Sequence, residues 1–509
     1  MDTIIVLDFG SQYNQLIARR VRELGVYSEI VPFYHELEEL RQPHVKGIIL
    51  SGGPNSVYDE HAPHVTRDLF DLDVPILGIC YGMQITQYLF DGVVTPSDKR
   101  EYGKSELTIT TASPLSEGLP DTSTVWMSHG DHVEALSSSF ELLGTSPSSL
   151  AMAKHKTKDI YTLQFHPEVT HTEYGKQILR NFVFSVCHAV ASWSLDDYID
   201  QTTALIRDKV GDDQVILALS GGVDSSVAAT LIHKAIGDQL TCVFVDTGLL
   251  RKDEGDKVMA TYRDHFHIHV IRINAKDQFL SALNGVSDPE EKRKIIGREF
   301  IRVFEQFKAD HKDAKYLAQG TIYPDVIESV SIKGPSETIK SHHNVGGLPE
   351  EVDFELLEPL RELFKDEVRK VGLALGIPNH MIMRHPFPGP GLGIRILGAI
   401  SERKVAILQE ADAIFIEELY AQDYYDEVSQ AFVVLLPVKS VGVMGDKRTY
   451  EYVAVIRSAD TVDFMTATFS RLPFEFLDHV ASRIINEVRG INRVVYDITS
   501  KPPGTIEWE

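Results

Sequence analysis

Residues 217–232 read LALSGGVDSSVAATLI, and this stretch decides the fold of the middle of the chain. An apolar run stops at Ser-Gly-Gly, and apolar residues then return at helical spacing. This order predicts a buried strand, a glycine turn and the start of a helix. The first backbone N–H groups of a helix have no intrahelical acceptor, so such a turn is suited to binding an anion.

The turn is not a Walker A loop, although it is rich in glycine. A Walker A loop reads G-x-x-x-x-G-K-[ST], and its lysine reaches the outer phosphates of the nucleotide. No lysine follows Gly221 and Gly222. The sequence therefore indicates a phosphate site of a different kind.

Length and composition predict a protein of several domains. The 509 residues are too many for one hydrophobic core and suggest about three domains. The formal net charge of −24 argues against a nucleic-acid partner, because phosphate backbones are bound by basic surfaces. Three widely spaced cysteines form no CxxC pair, and no apolar stretch approaches the ~18 residues of a membrane span. We therefore expect a cytoplasmic protein with no membrane partner.

The apolar periodicity predicts two α/β units in succession. In the first, strands at TIIVLD, YSEIVPF, GIILSGG and VPILGIC accompany helical patterns at 11–24 and 175–190, with shorter strands from about 107 to 165. In the second, strands are expected at QVILALS, LTCVFVD, IHVIRIN and KYLAQG, with a charged helix at 288–301.

A third unit of α+β type is predicted after HPFPGPGLGIR (385–395), where Pro and Gly interrupt the pattern. AFVVLLPVKSVGVM and TYEYVAVIRS are expected to pair as a hairpin across GDKR, followed by two helical segments and a last strand. The predicted fold class is thus α/β, with two successive α/β domains and a C-terminal α+β domain.

ILGICYGMQ places Cys80 between two glycines, after an apolar strand and before a helical run. The flanking glycines allow the strained turn of a nucleophile elbow, here with cysteine in place of serine. The N-terminus of the following helix favours the thiolate, which is the reactive form. The competing interpretation is that Cys80 is a small buried apolar residue, as most free cysteines are.

A base for this thiol is available in QFHPEV (164–169). His166 and Glu168 alternate along a short extended segment, so both side chains project from the same face. The carboxylate can then orient the imidazole, and the imidazole can take the thiol proton. A His-x-Glu pair is common by itself, and it is the combination with Cys80 that favours a catalytic role.

LSGGP (50–54), GICYGMQ (78–84) and FHPE (165–168) together resemble the class I glutamine amidotransferase family. The resemblance implies that Cys80 attacks the carboxamide of glutamine, with His166 as acid and base and Glu168 orienting it. The residues that it assigns to the oxyanion hole and to glutamine binding are Gly53, Tyr81, Gln84, Ser128 and His129.

SGGVDSS (220–226) resembles the PP-loop of ATP pyrophosphatases, which split ATP between its α- and β-phosphates. The resemblance implies that backbone N–H groups and serine hydroxyls cradle the pyrophosphate, that Asp224 holds Mg²⁺, and that FVDTGLLRKDE (244–254) lies near the adenosine. The competing interpretation is a Gly-Ser turn with a capping Asp. The assigned ATP-binding residues are Ser220, Gly221, Gly222, Val223, Asp224, Ser225, Ser226 and Lys340.

Both halves together resemble the glutamine-hydrolysing GMP synthase family, and IKSHHNVGGLP, HPFPGPGLGIR, KSVGVMGDKR and KPPGTIEWE match its signatures. The resemblance implies an amidotransferase domain at 1–192, an ATP pyrophosphatase domain at 193–384, and a domain for dimerisation and nucleotide binding at 385–509.

The same resemblance implies ATP-dependent amination of xanthosine 5′-monophosphate (XMP) to GMP by a homodimer. Ammonia would come from glutamine, and an adenyl-XMP intermediate would form with release of pyrophosphate and then AMP. Arg384 and Arg395, in loops rich in Gly and Pro, are further candidates to bind the nucleotide phosphate. The XMP-binding residues that the resemblance assigns are Lys501, Thr505, Ile506 and Glu507, and Arg293 is added because a cation on the charged helix at 288–301 is suited to binding a phosphate.

Three other functions are consistent with parts of the sequence. An NAD synthetase-like ligase would apply the same chemistry to another substrate. A tRNA-thiolating PP-loop enzyme would need sulfur-handling cysteines and a basic surface, and the chain has neither a CxxC pair nor a positive net charge. A silent regulatory binder would be expected to have lost Cys80, His166 or Asp224, and all three are present.

Overall fold

The computed structural model describes residues 1–311, 314–330, 355–444, 446–461, 464 and 466–509, without the side chains of 97–101, 196, 328–330 and 444. These residues form two compact units. Unit 1 contains Met1–Asp197 together with residues 327–330, and unit 2 contains the rest, from Tyr198 onward.

Unit 1 is built on one nine-stranded sheet. Its strands are β1 (Thr3–Asp8), β2 (Tyr27–Pro32), β3 (Val45–Leu50), β4 (Ile76–Ile79), β5 (Val93–Ile109), β6 (Thr122–Ala135), β7 (Phe140–Thr145), β8 (Leu150–His155) and β9 (Ile160–Leu163). They lie in the order β2-β1-β3-β4-β9-β8-β7-β5-β6. In this order, the strands from β2 to β9 pair in parallel, and the pairs from β9 to β6 are antiparallel. The inner strands β1, β3 and β4 are mostly apolar and almost entirely buried, as is typical of parallel strands inside a sheet.

The helices of unit 1 are α1 (Asn14–Glu23), α2 (Leu37–Leu40), α3 (Tyr81–Leu89) and α4 (Gly175–Arg180). In α1, Ile17, Ala18 and Val21 are buried at the spacing of one helix face. The helix expected at 175–190 ends earlier, because α4 passes into a π-helical turn over Asn181–Val186. The strand and helix pattern predicted for the first α/β unit is otherwise present.

Unit 2 begins with a five-stranded parallel sheet. Its strands are β10 (Gln214–Leu219), β11 (Leu240–Asp246), β12 (Val270–Asn274), β13 (Ala314–Ala318) and β14 (Glu355–Leu357). They lie in the order β12-β11-β10-β13-β14. The four strands expected from the sequence are confirmed, and the three-residue β14 was not predicted. The strand order reverses direction at β10, and ligands of such sheets bind outside the carboxyl ends at this point.

The helices of unit 2 alternate with these strands and then continue beyond them. They are α5 (Leu195–Val210), α6 (Val223–Ile236), α7 (Glu254–Thr261), α8 (Lys276–Ala282), α9 (Pro289–Asp310), α10 (Tyr323–Val330), α11 (Lys365–Ala374), α12 (Asn379–Ile382), α13 (Glu402–Ala421) and α14 (Phe474–Glu487). The first residues of α5, up to Asp197, and the last four of α10 are counted with unit 1. The charged helix expected at 288–301 is α9, which Asp288 caps by accepting from Glu291 N–H.

A second sheet follows in the same unit. It contains β15 (Gln430–Met444), β16 (Lys447–Asp460), β17 (Thr468–Phe469) and β18 (Ile491–Tyr496). β15 and β16 form the expected antiparallel hairpin, and β18 lies parallel to β16. Between β16 and β18 the described residues contain one helix, α14, so the expectation of two helical segments is wrong. The predicted fold class is confirmed.

The Pro/Gly segment around residue 391 is buried in unit 2 and is not an exposed linker. Leu392 N–H donates to the Leu249 carbonyl at 2.8 Å. Gly391 has φ +61°, and a Cβ there would lie 2.4 Å from the same carbonyl oxygen, so only glycine fits. One apolar core joins residues on both sides of the segment, from Ile216 to Ile491. The domain boundaries at 192/193 and 384/385 stay predictions.

Within the part of the chain that the structure describes, no helix is both long and apolar enough to cross a membrane.

Candidate active sites

Cys80 lies in the tight turn between β4 and α3. Its backbone has φ 53° and ψ −104°, a strained conformation for a residue with a side chain. Cys80 N–H donates to the Leu163 carbonyl at 2.7 Å, which ties the turn to the end of the neighbouring strand β9. The thiol is therefore presented at the carboxyl end of the sheet and at the N-terminus of a helix, as the elbow pattern predicts.

The glycines on either side of Cys80 are required by close approach of the backbone. A Cβ on Gly82 would lie 2.4 Å from the Leu50 carbonyl oxygen, and one on Gly78 would lie 2.6 Å from the Gly82 carbonyl oxygen. Either contact is too short for any side chain. The spacing G-x-C-x-G is thus fixed by packing of α3 against the sheet.

His166 and Glu168 follow β9, which pairs with β4, so both reach the edge where Cys80 lies. His166 Nδ1 and Glu168 Oε1 are 2.6 Å apart, and both side chains are buried. The His166 backbone is also held, because Thr172 Oγ1 donates to the His166 carbonyl at 2.6 Å. The geometry is that of an imidazole oriented by a carboxylate, with its other nitrogen available to a nucleophile.

The charge state of His166 depends on its two neighbours. Burial opposes the charged imidazolium, but the negative charges of Glu168 and of a Cys80 thiolate, with their hydrogen bonds, outweigh it. Together they raise the pKa of His166 to about 10. The site therefore favours an imidazolium beside an anion, which is the form that a proton transfer from the thiol produces.

Gly53 lies against Tyr81, the residue that follows Cys80. A Cβ on Gly53 would lie 2.6 Å from the Phe9 carbonyl oxygen and 3.4 Å from the Tyr81 ring. Tyr81 is the first residue of α3, where backbone N–H groups have no intrahelical acceptor. Such an N–H can stabilise negative charge on a substrate oxygen.

The other residues expected to hold glutamine lie on α3 and β6. Gln84 is buried, and its amide nitrogen donates to the Asp131 carbonyl at 2.7 Å. The Ser128 carbonyl oxygen is 3.6 Å from the Cys80 sulfur. His129 is also buried. The fold thus brings the Ser128 carbonyl to Cys80 and links Gln84 of α3 to β6, where His129 follows Ser128.

The second site is the glycine turn after β10, at the point where strand order reverses. Gly221 has φ +74°, and α6 begins at Val223. The turn is closed by its own hydroxyls: Ser220 Oγ lies 3.0 Å from Ser225 Oγ, and Ser226 Oγ donates to the Gly222 carbonyl at 2.7 Å. The N–H groups at the start of α6 point out of the sheet edge, where an anion would bind.

Asp224, the expected Mg²⁺ ligand, is paired with a residue that sequence reasoning missed. Lys365 Nζ lies 2.7 and 2.6 Å from the two carboxylate oxygens of Asp224. Lys365 opens α11, and nothing in a single sequence marks it as different from other helix lysines. Arg384 Nη1 donates to the Gly221 carbonyl at 2.9 Å and also pairs with Glu254. Two cations therefore lie at the turn although the loop itself contains none.

Lys340, the remaining expected ATP ligand, lies outside the described residues. Among the residues that are described, no group of three or more His, Cys, Asp or Glu side chains is arranged as a metal site. A cavity of about 300 Å³ lies beside the end of β11. Its lining includes Asp246, Arg251 and Glu254, from the segment expected near the adenosine.

The expected XMP residues at the end of the chain lie against α9. Arg293 donates to the backbone oxygen of Glu509 at 2.6 Å. Lys292, which has no exposed surface, pairs with the Glu509 carboxylate and donates to the Ile396 carbonyl. α9 and the end of the closing segment are therefore in direct contact.

Glu507 and Arg395 form a buried two-point ion pair with distances of 2.8 and 3.1 Å. Gln430 donates to the same carboxylate at 2.7 Å and was not predicted. Arg395 is fully buried, so the expectation that it is available to a phosphate is wrong. Its charge is balanced by Glu507 and it packs over the Phe432 ring.

The other three expected XMP residues lie in the same closing segment. Lys501 Nζ donates to the Phe464 carbonyl at 2.7 Å, and Thr505 Oγ1 donates to the Glu507 carbonyl. Ile506 is buried in a small apolar cluster with Phe432. The closing segment is therefore held both by a contact within it and by contacts with Phe432 and Phe464.

Three family models match successive parts of the chain. They are "Glutamine amidotransferase class-I" at residues 5–186, "NAD synthase" at 198–299 and "GMP synthase C terminal domain" at 417–508. Among curated proteins, "GMP synthase [glutamine-hydrolyzing]" of Fusobacterium nucleatum is 62% identical over 507 residues, with 99% of both chains covered. The proteins of the same name from Spiroplasma kunkelii and Mesoplasma florum are 59% and 57% identical, again over 99% of each chain.

This chain belongs to the glutamine-hydrolysing GMP synthase family. The family expected from the sequence motifs is confirmed. A solved glutamine amidotransferase from Thermotoga maritima aligns with 37% of this chain and 99% of its own, at 17% identity and a TM-score of 0.30.

Membership of the GMP synthase family decides between the rival functions. The "NAD synthase" match is confined to the part that contains the PP-loop, and the C-terminal match is to the GMP synthase domain. An NAD synthetase, a tRNA-thiolating enzyme and a silent binder are therefore all disfavoured.

Proposed function

We propose that this chain converts XMP to GMP, with ATP as the energy source and glutamine as the nitrogen donor. The main observation in support of the proposal is that one chain of this family contains two candidate active sites. One is Cys80 with His166 and Glu168, and the other is the lysine-free glycine turn at 220–226. Ammonia released at the first site would be consumed at the second.

At the first site, the Cys80 thiolate attacks the carboxamide carbon of glutamine. His166 takes the thiol proton and gives it to the departing ammonia, while Glu168 holds the ring and its charge. The N–H groups of Gly53 and Tyr81 would stabilise the oxyanion, and Gln84, Ser128 and His129 would hold the rest of glutamine. Water then attacks the thioester and releases glutamate.

At the second site, the C2 oxygen of XMP attacks the α-phosphorus of ATP and pyrophosphate leaves. Ammonia then attacks C2 and displaces AMP. The backbone of 220–226 and the hydroxyls of Ser220, Ser225 and Ser226 would hold the pyrophosphate. Lys365, which lies against Asp224, and Lys340 would balance its charge.

Mg²⁺ fits this site as a partner of ATP. Mg²⁺ keeps several waters and usually binds through one or two carboxylates together with substrate phosphates. Asp224 offers one partly exposed carboxylate at the turn. We propose that it holds Mg²⁺ on the phosphates, where the ion would supply charge neutralisation.

XMP would bind near the closing segment, through Arg293, Lys501, Thr505, Ile506 and Glu507. This placement is supported by the contact of Arg293 with Glu509 and by the position of Lys501 in the same segment. A nucleotide phosphate needs cations, and Arg293 and Lys501 supply them. Cytoplasmic location stays a prediction.

A homodimer through the C-terminal part of unit 2 is supported by an apolar surface on the β15–β16 hairpin. Val441, Val443 and Tyr450 are exposed there, and Val443 is 74% exposed. Such a patch marks an interaction site. Val443→Asp is expected to shift the sedimentation coefficient to that of a monomer, and an unchanged dimer would place the interface elsewhere.

The proposed reaction is tested by product analysis with ATP, Mg²⁺, XMP and either glutamine or ammonium. Wild type is expected to make GMP, AMP and pyrophosphate from both nitrogen sources. Cys80→Ala is expected to lose glutamine-dependent synthesis and keep ammonium-dependent synthesis. ADP and orthophosphate as products would contradict the PP-loop assignment, and loss of ammonium-dependent synthesis in a folded Cys80→Ala protein would contradict the two-site division.

A further inference from the structure

Gln164 is a buried residue of unit 1 that the proposed mechanism does not use. It lies two residues before His166 and four before Glu168, in the bends and turn that follow β9. Its amide and the His166 imidazole both lie beside Cys80. Its side chain has no exposed surface.

The amide of Gln164 contacts the sulfur of Cys80. Gln164 Nε2 is 3.9 Å from Cys80 Sγ and donates to it. Among the described residues, no group donates to the Gln164 amide oxygen. A buried amide that satisfies only half of its hydrogen-bonding capacity is less stable than an apolar side chain of the same size. Packing alone therefore does not explain a glutamine at this position.

Besides its interaction with His166, the sulfur has two polar contacts, with Ser128 and Gln164, and these respond differently to loss of the thiol proton. As a thiol, Cys80 donates its S–H to the Ser128 carbonyl at 3.6 Å and accepts from Gln164. As a thiolate, it has no proton for the carbonyl, and its negative charge is repelled by that oxygen. The N–H of Gln164 then becomes a charge-assisted donor, which is a stronger hydrogen bond.

We propose that Gln164 is a positioning residue of the glutaminase reaction, whose amide N–H holds the Cys80 thiolate. This inference rests on the proposed role of Cys80 as the nucleophile. The N–H stabilises the sulfur when it carries charge, before it attacks glutamine and again when the thioester is hydrolysed. In the thioester the sulfur is uncharged and a weak acceptor, so the contact contributes little there.

The test measures the pH dependence of Cys80 alkylation by iodoacetamide, without substrate, by mass spectrometry of the Cys80 peptide. In Gln164→Leu the midpoint pH is expected to rise by about one unit, because a hydrogen bond to a charged group is lost. In Gln164→Glu it is expected to rise further, because a carboxylate replaces the donor. Both variants keep the other titratable groups on the segments that contact the sulfur. These groups are His166, Glu168, His129 and Asp131.

Gln87 provides a matched control. It is also a fully buried glutamine of unit 1, and its amide oxygen accepts from Ser137 N–H while its amide nitrogen donates to no described residue. Gln87→Leu is expected to leave the alkylation midpoint at the wild-type value. An equal rise in Gln87→Leu and Gln164→Leu would show a general packing effect and overturn the proposal.

Kinetics give the second readout. In Gln164→Leu, kcat for glutamine hydrolysis is expected to fall about tenfold with little change in KM, and ammonium-dependent GMP synthesis is expected to remain. Gln164→Met, also apolar and unbranched, carries the same expectations if the leucine variant does not fold. If the pH midpoint of Cys80 alkylation stays at the wild-type value in both Gln164→Leu and Gln164→Met, the inference is overturned. Glutaminase activity in Cys80→Ala would instead overturn the proposed function.

Discussion

Cys80 adopts a backbone conformation that a residue with a side chain normally avoids. The turn is held because Gly78 and Gly82 let α3 and β3 approach, and because Cys80 N–H is bonded to β9. Strain of this kind persists only where surrounding structure fixes it, and it is common at functional sites. The Cys80 thiol, which we propose as the nucleophile, is therefore oriented by its neighbours before any substrate binds.

Gly82→Ala tests this dependence on close packing. The new Cβ would lie 2.4 Å from the Leu50 carbonyl oxygen, and the backbone can give way only by moving α3. We expect a loss of about 1–3 kcal/mol in the free energy of unfolding of unit 1 and loss of glutaminase activity. In Gly297→Ala the new Cβ meets no atom within 4 Å, so thermal stability should be maintained. Wild-type stability in Gly82→Ala would contradict the packing account.

Glu168→Gln tests how far the carboxylate supports His166. The substitution keeps the shape but removes the charge that raises the imidazole pKa. We expect kcat for glutamine hydrolysis to fall about 10²- to 10⁴-fold, with ammonium-dependent synthesis unchanged. The measurement is steady-state glutamate release; a loss below threefold would indicate that Glu168 is only structural.

The interaction of His166 with Glu168 also makes the stability of unit 1 depend on pH. The pKa of His166 is raised to about 10 in the folded state. Since unfolded histidine titrates near ~6.5, this contribution is fully present below that pH and is lost as pH rises through about 10. The difference in unfolding free energy between wild type and Glu168→Gln should therefore shrink across this window. Urea unfolding at stepped pH measures it, and a constant difference would contradict the assignment.

At the scale of elements, α9 is tied to the closing segment by a buried lysine. Lys292 has no exposed surface and bonds to the Ile396 carbonyl and the Glu509 carboxylate. Its neighbour Arg293 bonds to the Glu509 backbone. A buried charge is tolerated only when it is paired, so the position of the closing segment and that of α9 depend on each other.

Glu509→Gln is expected to destabilise unit 2 by about 3–5 kcal/mol, because the buried ammonium of Lys292 loses its counter-charge. Lys292→Met combined with Glu509→Gln removes both charges and should recover most of this loss. Urea unfolding followed by tryptophan fluorescence measures the free energy of unfolding of the single and the double variant. A double variant less stable than Glu509→Gln alone would show that Lys292 stabilises the fold by another contact.

At the scale of the molecule, the two sites belong to different compact units with separate apolar cores. Each unit places its site at the carboxyl ends of parallel strands, where helix N-termini begin. The two reactions therefore depend on different sets of side chains and can be removed one at a time.

Asp224→Asn tests this separation from the side of the second site. The variant is expected to lose both glutamine- and ammonium-dependent GMP synthesis, because the charge that pairs with Lys365 and would hold Mg²⁺ is removed. The rate and midpoint of Cys80 alkylation are expected to match wild type. A shifted alkylation midpoint would mean that the turn and the thiol are coupled without substrate.

The sequence by itself determined the features that depend on neighbours along the chain. Apolar periodicity predicted β1 to β4 of unit 1, β10 to β13 of unit 2 and the β15–β16 hairpin, but not the three-residue β14. The glycines around Cys80 and those at 221–222 marked the two turns, since backbone conformation is set by a few adjacent residues. His166 and Glu168 were found from their two-residue spacing, although a turn, and not the expected extended segment, brings the two side chains together.

Only the tertiary structure decided which distant side chains meet. Lys365 pairs with Asp224 across 141 positions, and Arg395 pairs with Glu507 across 112. No local pattern marks such partners, because the pairing depends on how strands and helices pack. For the same reason Arg395 could be taken from sequence for an exposed phosphate ligand, whereas burial and one carboxylate make it part of the core.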